Sequence, residues 1–153
     1  MSAAWEPEAA ALRASPPRHL LFLCVANSAR SQMAEGIARA LAPPGMSISS
    51  AGSKPSRVNP LAIRALAEIG IDIAGHTSKS VGDVPAAGVD VVITLCAEEV
   101  CPVWLGKASK LHWGLPDPVG ASEEEKLRAF RDVRDELYRR LTAVFGERRR
   151  PAG

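Results

Sequence analysis

The chain has 153 residues, 46% hydrophobic and 24% charged, with a net charge of +2 and a pI near 8.6. That is enough for one domain with its own core and too little for two, and the charge is too mild to argue for nucleic acid or a membrane surface. No apolar run approaches the roughly 18 residues of a membrane helix, and residues 1–18 lack a signal-peptide pattern, so a cytosolic protein is expected.

Residues 1–18 are alanine-rich, carry Glu6, Glu8, Arg13 and Pro16-Pro17, and are expected as a loosely ordered extension in which Trp5 could pack. His19 to Val25 is a near-continuous apolar run of strand length, as suits a strand buried on both faces. After a short polar loop, Met33, Ala34, Ile37, Ala38 and Leu41 repeat at helical spacing over Gln32 to Leu41, and Pro43, Pro44 and Gly45 end that helix. Met46 to Ser50 reads as a second strand. Asn59-Pro60 starts a helix, with Asn as N-cap and Pro at the first helical position. Its apolar face is Ala62, Ala65, Leu66 and Ile69, and Gly70 fits the terminal cap. Val89 to Leu95 is a further buried strand. Ser122 and Glu125 have capping-box spacing before a long helix with the stripe Leu127, Phe130, Val133, Leu137, Leu141 and Val144. Strands alternating with helices predict a parallel sheet with helices on both faces. The domain is expected over residues 19–146, followed by a solvated basic tail over 147–153 that holds Arg148 to Arg150.

Three cysteines, Cys24, Cys96 and Cys101, are an odd number, and the cytosol disfavours structural disulfides. They are inert thiols, metal ligands, or redox and nucleophilic groups. Cys24 opens the loop Cys24-Val25-Ala26-Asn27-Ser28-Ala29-Arg30-Ser31 between a buried strand and a helix. That is where ligands bind in an open parallel sheet. The loop amides of Val25, Ala26, Asn27, Ser28 and Ala29, with the helix N-terminus, make an anion cradle. The planar fork of Arg30 suits a tetrahedral oxyanion. These groups favour thiolate over thiol, so Cys24 is expected to titrate below the usual value of about 8.5. The plainer alternative is a buried cysteine ending a strand. Neither a Walker A motif nor a Gly-x-Gly-x-x-Gly fingerprint occurs, and no cofactor is expected.

The run Cys24 to Gly36, CVANSARSQMAEG, resembles the phosphate-binding loop and first helix of the low-molecular-weight protein tyrosine phosphatases. It is more similar still to their arsenate-reductase branch. Ser50-Ala51-Gly52, Asn59-Pro60, Gly70-Ile71-Asp72-Ile73, His76-Thr77-Ser78, Val92 to Cys96, His112-Trp113-Gly114 and Asp117-Pro118 extend the likeness from about residue 19 to residue 145. The resemblance implies a four-stranded parallel sheet, a Cys24 nucleophile, oxyanion binding by the loop and Arg30, and Asp117 as the acid that protonates the leaving oxygen. It also implies arsenate as substrate, reduced at the expense of two thiols that are oxidised to a disulfide. Cys96 would attack Cys24, Cys101 would then attack Cys96, and thioredoxin would reduce the product. A monomer is expected, with neither nucleic acid nor membrane as partner.

Three alternatives stand beside that reading: a phosphatase acting on phosphotyrosine or other phosphomonoesters, a mycothiol- or glutathione-dependent arsenate transferase, and a non-catalytic oxyanion-binding module. Zinc held by Cys96 and Cys101 with His76 or His112 is a poor fit, because the two cysteines lack a second pair. Val119 and Gly120 follow the Asp-Pro pair where a phosphotyrosine phosphatase would usually carry an aromatic. The chain also departs from the resemblance. Only four residues separate Cys96 from Cys101, fewer than in the best-known potassium-binding members, and Ala29 stands where those members can carry another cysteine. Asn27, Glu35 and Ser50 match the cation-site positions of potassium-binding relatives. Lys79 stands where those relatives have a carboxylate, so it is expected, with Ser31, to support the loop as a built-in cation.

Overall fold

A computed structural model describes residues 5–97, 104 and 106–147. Strand β1 (His19–Cys24) buries all but its first side chain. A segment apolar on both faces is stable only between two covering layers and two neighbouring strands, and β1 is placed so. Its neighbours are β2 (Ser47–Gly52) and β3 (Val91–Thr94), and β4 (Ser109–His112) pairs outside β3. All pairs are parallel, in the order β2-β1-β3-β4. Leu23 stands level with Ala51 on one side and Thr94 on the other, so three strands end together beside Cys24.

Four α-helices are described: α1 (Trp5–Ala14), α2 (Arg30–Leu41), α3 (Pro60–Ala67) and α4 (Lys126–Phe145). Their buried side chains join Leu20, Phe22, Ile48, Val91 and Ile93 in the larger core. The smaller core gathers the opposite side chains, Leu21, Leu23, Ala51 and Val92, under Val84, Val89 and Trp104. Among the described residues, the helical cover on that side is a 3-10 turn at Val81–Asp83. The Asn59 side chain caps α3 by accepting from Leu61 N–H at 2.9 Å. At its other end Ile71 N–H reaches Leu66 O at 2.9 Å and Gly70 N–H reaches Ala67 O at 3.0 Å. That is the paired-bond cap read for Gly70.

Two readings are corrected. Residues 5–14 are not a loose extension but the helix α1, whose Trp5, Ala9 and Leu12 enter the larger core. Spacings of four and three residues put these side chains on one stripe. The spacing of Ser122 and Glu125 does not produce a capping box. A backbone turn forms instead, with Glu125 N–H donating to Ser122 O at 3.0 Å, and α4 begins without a side-chain cap. A capping box does form at Ser80 and Asp83. The stripe of α4 is buried from Phe130 to Val144, with Leu127 only partly covered. Of the basic tail, Arg148 to Arg150 lie outside the described residues.

If α1 is docked in this way, Trp5→Ala removes a large buried ring and should lower stability by about 3 kcal/mol. Urea unfolding checks this, and an unchanged midpoint would mean that α1 contributes nothing to the core.

Candidate active site

Cys24 is buried at the end of β1 with its thiol free. It lies in the wall of a cavity of about 300 Å³, with Val25, Ala26, Ser28, Ala29, Arg30, Ser56, Asn59, Asp117 and Val119. The loop's carbonyls point away from that cavity. Val25 O accepts from Lys54 N–H at 2.9 Å, Ala26 O from Ser56 N–H at 3.1 Å, and Ser28 O from Asn59 N–H at 3.0 Å. The Ser78 hydroxyl also donates to Ala26 O at 3.0 Å. Among the described residues no acceptor takes the N–H groups of residues 25–29. A peptide whose carbonyl is pinned outward turns its N–H the other way, which is how a loop becomes an anion cradle. Gly52 lets β2 lie against this loop, since a Cβ there would stand 2.3 Å from Val25 O and 2.8 Å from Asn27 N.

The turn is made by Asn27, the one non-glycine residue with positive φ (47°) among the described residues. Asparagine tolerates that region because its short amide can bond locally. Here the amide faces inward and is fully used. Its Oδ1 accepts from Lys79 N–H at 2.8 Å and from Gln32 Nε2 at 3.0 Å, while its Nδ2 donates to Ser31 Oγ at 2.7 Å and Ser50 Oγ at 2.9 Å. Ser50 donates its own proton to Glu35 Oε1 at 2.6 Å. Ser31, which accepts from Asn27, also stands 2.8 Å from Cys24 Sγ, where either atom can donate. The polar chain therefore ends on the sulfur, and once Cys24 is a thiolate Ser31 is the donor.

Arg30 is 3% exposed. Its Nη1 donates to Leu115 O at 3.1 Å and Leu95 O at 3.4 Å, and its Nη2 is 3.8 Å from Asp117 Oδ2. Asp117 keeps its other oxygen on Val119 N–H at 3.0 Å, so Oδ2 is the atom turned to the cavity side. Among the described residues Val119 is the large hydrophobic side chain most open to solvent, at 41%. Cys96 is disulfide-bonded and buried, two residues past the end of β3. Cys101 lies outside the described residues.

The structure thus gathers Cys24, the loop residues 25–30, Asp117 and Cys96 at one end of the sheet. Asn27 lines the loop from below rather than the cavity. Glu35, 3% exposed, meets Arg39 Nε at 3.0 Å, His76 Nδ1 at 3.6 Å and Lys79 Nζ at 3.8 Å. Lys79 Nζ also donates to Thr77 O at 3.2 Å. Asn27 Oδ1 already accepts two hydrogen bonds, and Arg39 and Lys79 stand beside the Glu35 carboxylate. Sequence reasoning missed Gln32, whose amide also reaches Asn27 O at 3.2 Å and Thr77 O at 2.9 Å. It missed Ser56 too. A polar residue on a helix and a serine in a loop carry no signal of burial until distant segments close over them.

Comparison with known proteins agrees with this geometry. The family model of the low molecular weight phosphotyrosine protein phosphatases matches residues 19–150. A relative from Halalkalibacterium halodurans named arsenate reductase is 42% identical over 126 residues, covering 80% of this chain and 91% of its own. A solved arsenate reductase in its oxidised state aligns with a TM-score of 0.72 at 38% identity, over 84% of this chain and 96% of that one. A thioredoxin-dependent arsenate reductase from Corynebacterium glutamicum aligns with a TM-score of 0.59 at 30% identity, over 90% of this chain and 70% of that one.

The cluster below the loop makes stability depend on pH. Burial, first, holds His76 below the usual histidine range; Glu35 and Asp72 pull it up, and Arg39 and Lys79 push it down. As pH falls through about 6.5 the unfolded chain therefore takes up the proton before the folded one. Stability is present above that value and lost below it. The thermal midpoint should fall from about pH 7.5 to about pH 5.5, and His76→Gln should flatten the slope. His19 is lowered by burial as well, so some slope remains. A His76→Gln profile superimposable on wild type would show that the buried imidazole is not what the acid limb reports.

Proposed function

Because this chain belongs to the low molecular weight phosphotyrosine protein phosphatase family, we propose that it reduces arsenate to arsenite through Cys24, Cys96 and Cys101, with thioredoxin as the reductant. The observation that carries the reading is the state of the cysteines. Cys24 is a free thiol in the wall of the cradle, and Cys96, at the end of the neighbouring strand, is oxidised. A cradle, Cys24, Arg30 and Asp117 would serve a phosphomonoesterase equally well. A second, redox-active cysteine beside them supplies what arsenate reduction needs in addition, two electrons.

Cys24 sulfur attacks arsenic while the loop N–H groups and Arg30 hold the oxygens, and Asp117 gives its proton to the departing oxygen, which leaves as water. Ser31 Oγ donates to the sulfur and favours its anionic form. Cys96 thiolate next attacks Cys24. The S–S bond forms, the S–As bond breaks, and its electron pair stays on arsenic, which departs as arsenite. Cys101 thiolate attacks Cys96 and releases Cys24 as thiolate. A dithiol of the thioredoxin class reduces the Cys96–Cys101 disulfide with two electrons and two protons. The strand geometry supports the first exchange. Leu23 and Thr94 are paired across adjacent parallel strands, and Cys24 and Cys96 follow one and two residues later. The cavity mouth supports a small oxyanion over an aryl ester, because Val119 offers no ring to stack on one.

The test is arsenate-dependent NADPH oxidation with thioredoxin and thioredoxin reductase, repeated with glutathione and mycothiol systems. Cys101→Ser should release one arsenite per enzyme and stall as a Cys24–Cys96 disulfide, seen by peptide mapping. Cys96→Ser should release none without added thiol. Normal turnover of both variants with thioredoxin would eliminate the relay in favour of a small-thiol mechanism.

Lys79 acts in this enzyme as a tethered cation beneath the loop. Its ammonium near Glu35 and its backbone N–H on Asn27 Oδ1 support that role. Potassium should then change neither thermal midpoint nor rate beyond what sodium does at equal ionic strength. Lys79→Asp should lose stability in sodium and regain part of it in potassium. Specific stabilisation of the wild type by potassium would contradict the role.

A further inference from the structure

Helix α1 precedes the stretch matched by the family model, which begins at residue 19, yet it reaches the segment that carries Asp117. Glu8 Oε1 accepts from Trp113 Nε1 at 3.0 Å. Trp5 meets the same indole edge-on, with ring centroids 6.2 Å apart. Arg139 and Arg140 of α4 lie over the Trp5 ring at 5.2 and 5.4 Å. Trp113 is 1% exposed, and an indole N–H so buried requires an acceptor. Glu8 supplies it from outside the family's matched region.

Beyond Trp113 the chain runs straight into the site. Trp113 N–H donates to Thr94 O at 2.8 Å and Leu115 N–H to Leu95 O at 3.1 Å, so the pairing of β3 with β4 continues past both strand ends. Gly114 lies close against the carbonyl of Cys96, where a Cβ would stand 2.9 Å from that oxygen. Leu115 O holds Arg30 Nη1, and Asp117 follows two residues later, 3.8 Å from Nη2. A shift of Trp113 along its own plane therefore moves the carbonyl that holds Arg30 and the carboxyl beside it.

We propose that Glu8 is a positioning residue for Asp117. Through the Trp113 indole it fixes where the 113–117 segment sits over the cradle. The inference rests on the role given to Asp117 above, and its test keeps the two apart.

The experiment is a double-mutant cycle of Glu8→Ala and Asp117→Asn, with kcat and KM measured well below the lowest thermal midpoint of the four proteins. Arsenate with thioredoxin and a small phosphomonoester are run as parallel substrates. Glu8→Ala should lower kcat about three- to ten-fold, since a misplacement of this kind acts on the reacting geometry. In the Asp117→Asn background it should cost less than about two-fold, because coupled groups are not additive. Glu8→Gln, whose amide oxygen still accepts from the indole, should keep kcat near wild type. An equal loss in both backgrounds, or no loss in either, overturns the proposal and reduces α1 to a stabilising strap. Turnover of the phosphomonoester without arsenate-dependent turnover would remove the arsenate reading and leave the cycle readable. Turnover of neither substrate removes both.

Discussion

The site depends on a single buried amide. Asn27 uses both lone pairs of its oxygen and both protons of its nitrogen, on Lys79, Gln32, Ser31 and Ser50. An amide can do no more. Those four partners come from the segment after residue 76, from α2 twice, and from β2, so no local stretch of chain contains the arrangement. Each buried polar group left without its partner would cost roughly 1–3 kcal/mol. A half-formed network is therefore worse than none. The left-handed turn at Asn27, the outward carbonyls of Val25, Ala26 and Ser28, and the Ser31–Cys24 hydrogen bond stand or fall together.

That dependence explains which parts were legible in the sequence. β1, α2 and β3 announce themselves through apolar runs and helical spacing, and Asn59-Pro60 gives a start signal with a local mechanism. Cys24 and Arg30 stood out because of their residue type in a loop between a buried strand and a helix, whereas Asp117 was singled out by the family resemblance, its Asp-Pro pair alone reading as a turn. Gln32, Ser56 and Ser78 were not readable as site residues. Their roles are fixed by which distant carbonyl or hydroxyl arrives beside them, and a one-dimensional pattern does not record that. Ser122 and Glu125 show the converse: the local signal was present, and a backbone turn ending at Glu125 used the carbonyl of Ser122 instead of its hydroxyl. The stripe of α1 was present too, in Trp5, Ala9 and Leu12, but the alanine-rich composition and Pro16-Pro17 read as a loosely ordered extension.

Glu35 links the network to charge. It is 3% exposed and accepts from Ser50 while Arg39, His76 and Lys79 surround it. A buried carboxylate needs such compensation, since its desolvation is costly unless it is paired and hydrogen-bonded. The three groups differ in kind. Arg39, four residues along α2, also ties Ile48 O at 2.7 Å and so anchors the helix to β2. His76 is tuned by burial, and Lys79 is a flexible point charge that also holds a carbonyl. Positive charge beneath the loop is thus built from side chains, on the side of the loop facing away from the cavity, where it supports the cradle without filling it.

The two faces of the sheet divide the remaining work. One face bears the large core under α1, α2, α3 and α4, into which β1 packs through Leu20 and Phe22. The other has the smaller cluster, covered by Val84, Val89 and Trp104. Trp104 follows Cys101 by three residues in sequence. It is 5% exposed, and among the described residues its buried indole nitrogen has no hydrogen-bond partner. An unmatched donor of that kind costs about 1–3 kcal/mol, against the few kcal/mol that burying the ring contributes. In the proposed relay Cys24 must stay fixed, because its geometry is the cradle's, while Cys96 must meet first Cys24 and then Cys101. Local opening is drawn from regions with few buried apolar contacts. Among the described residues the smaller cluster has that property, and Cys96, which has to exchange partners, lies two residues past the end of β3, whose Val92 belongs to that cluster.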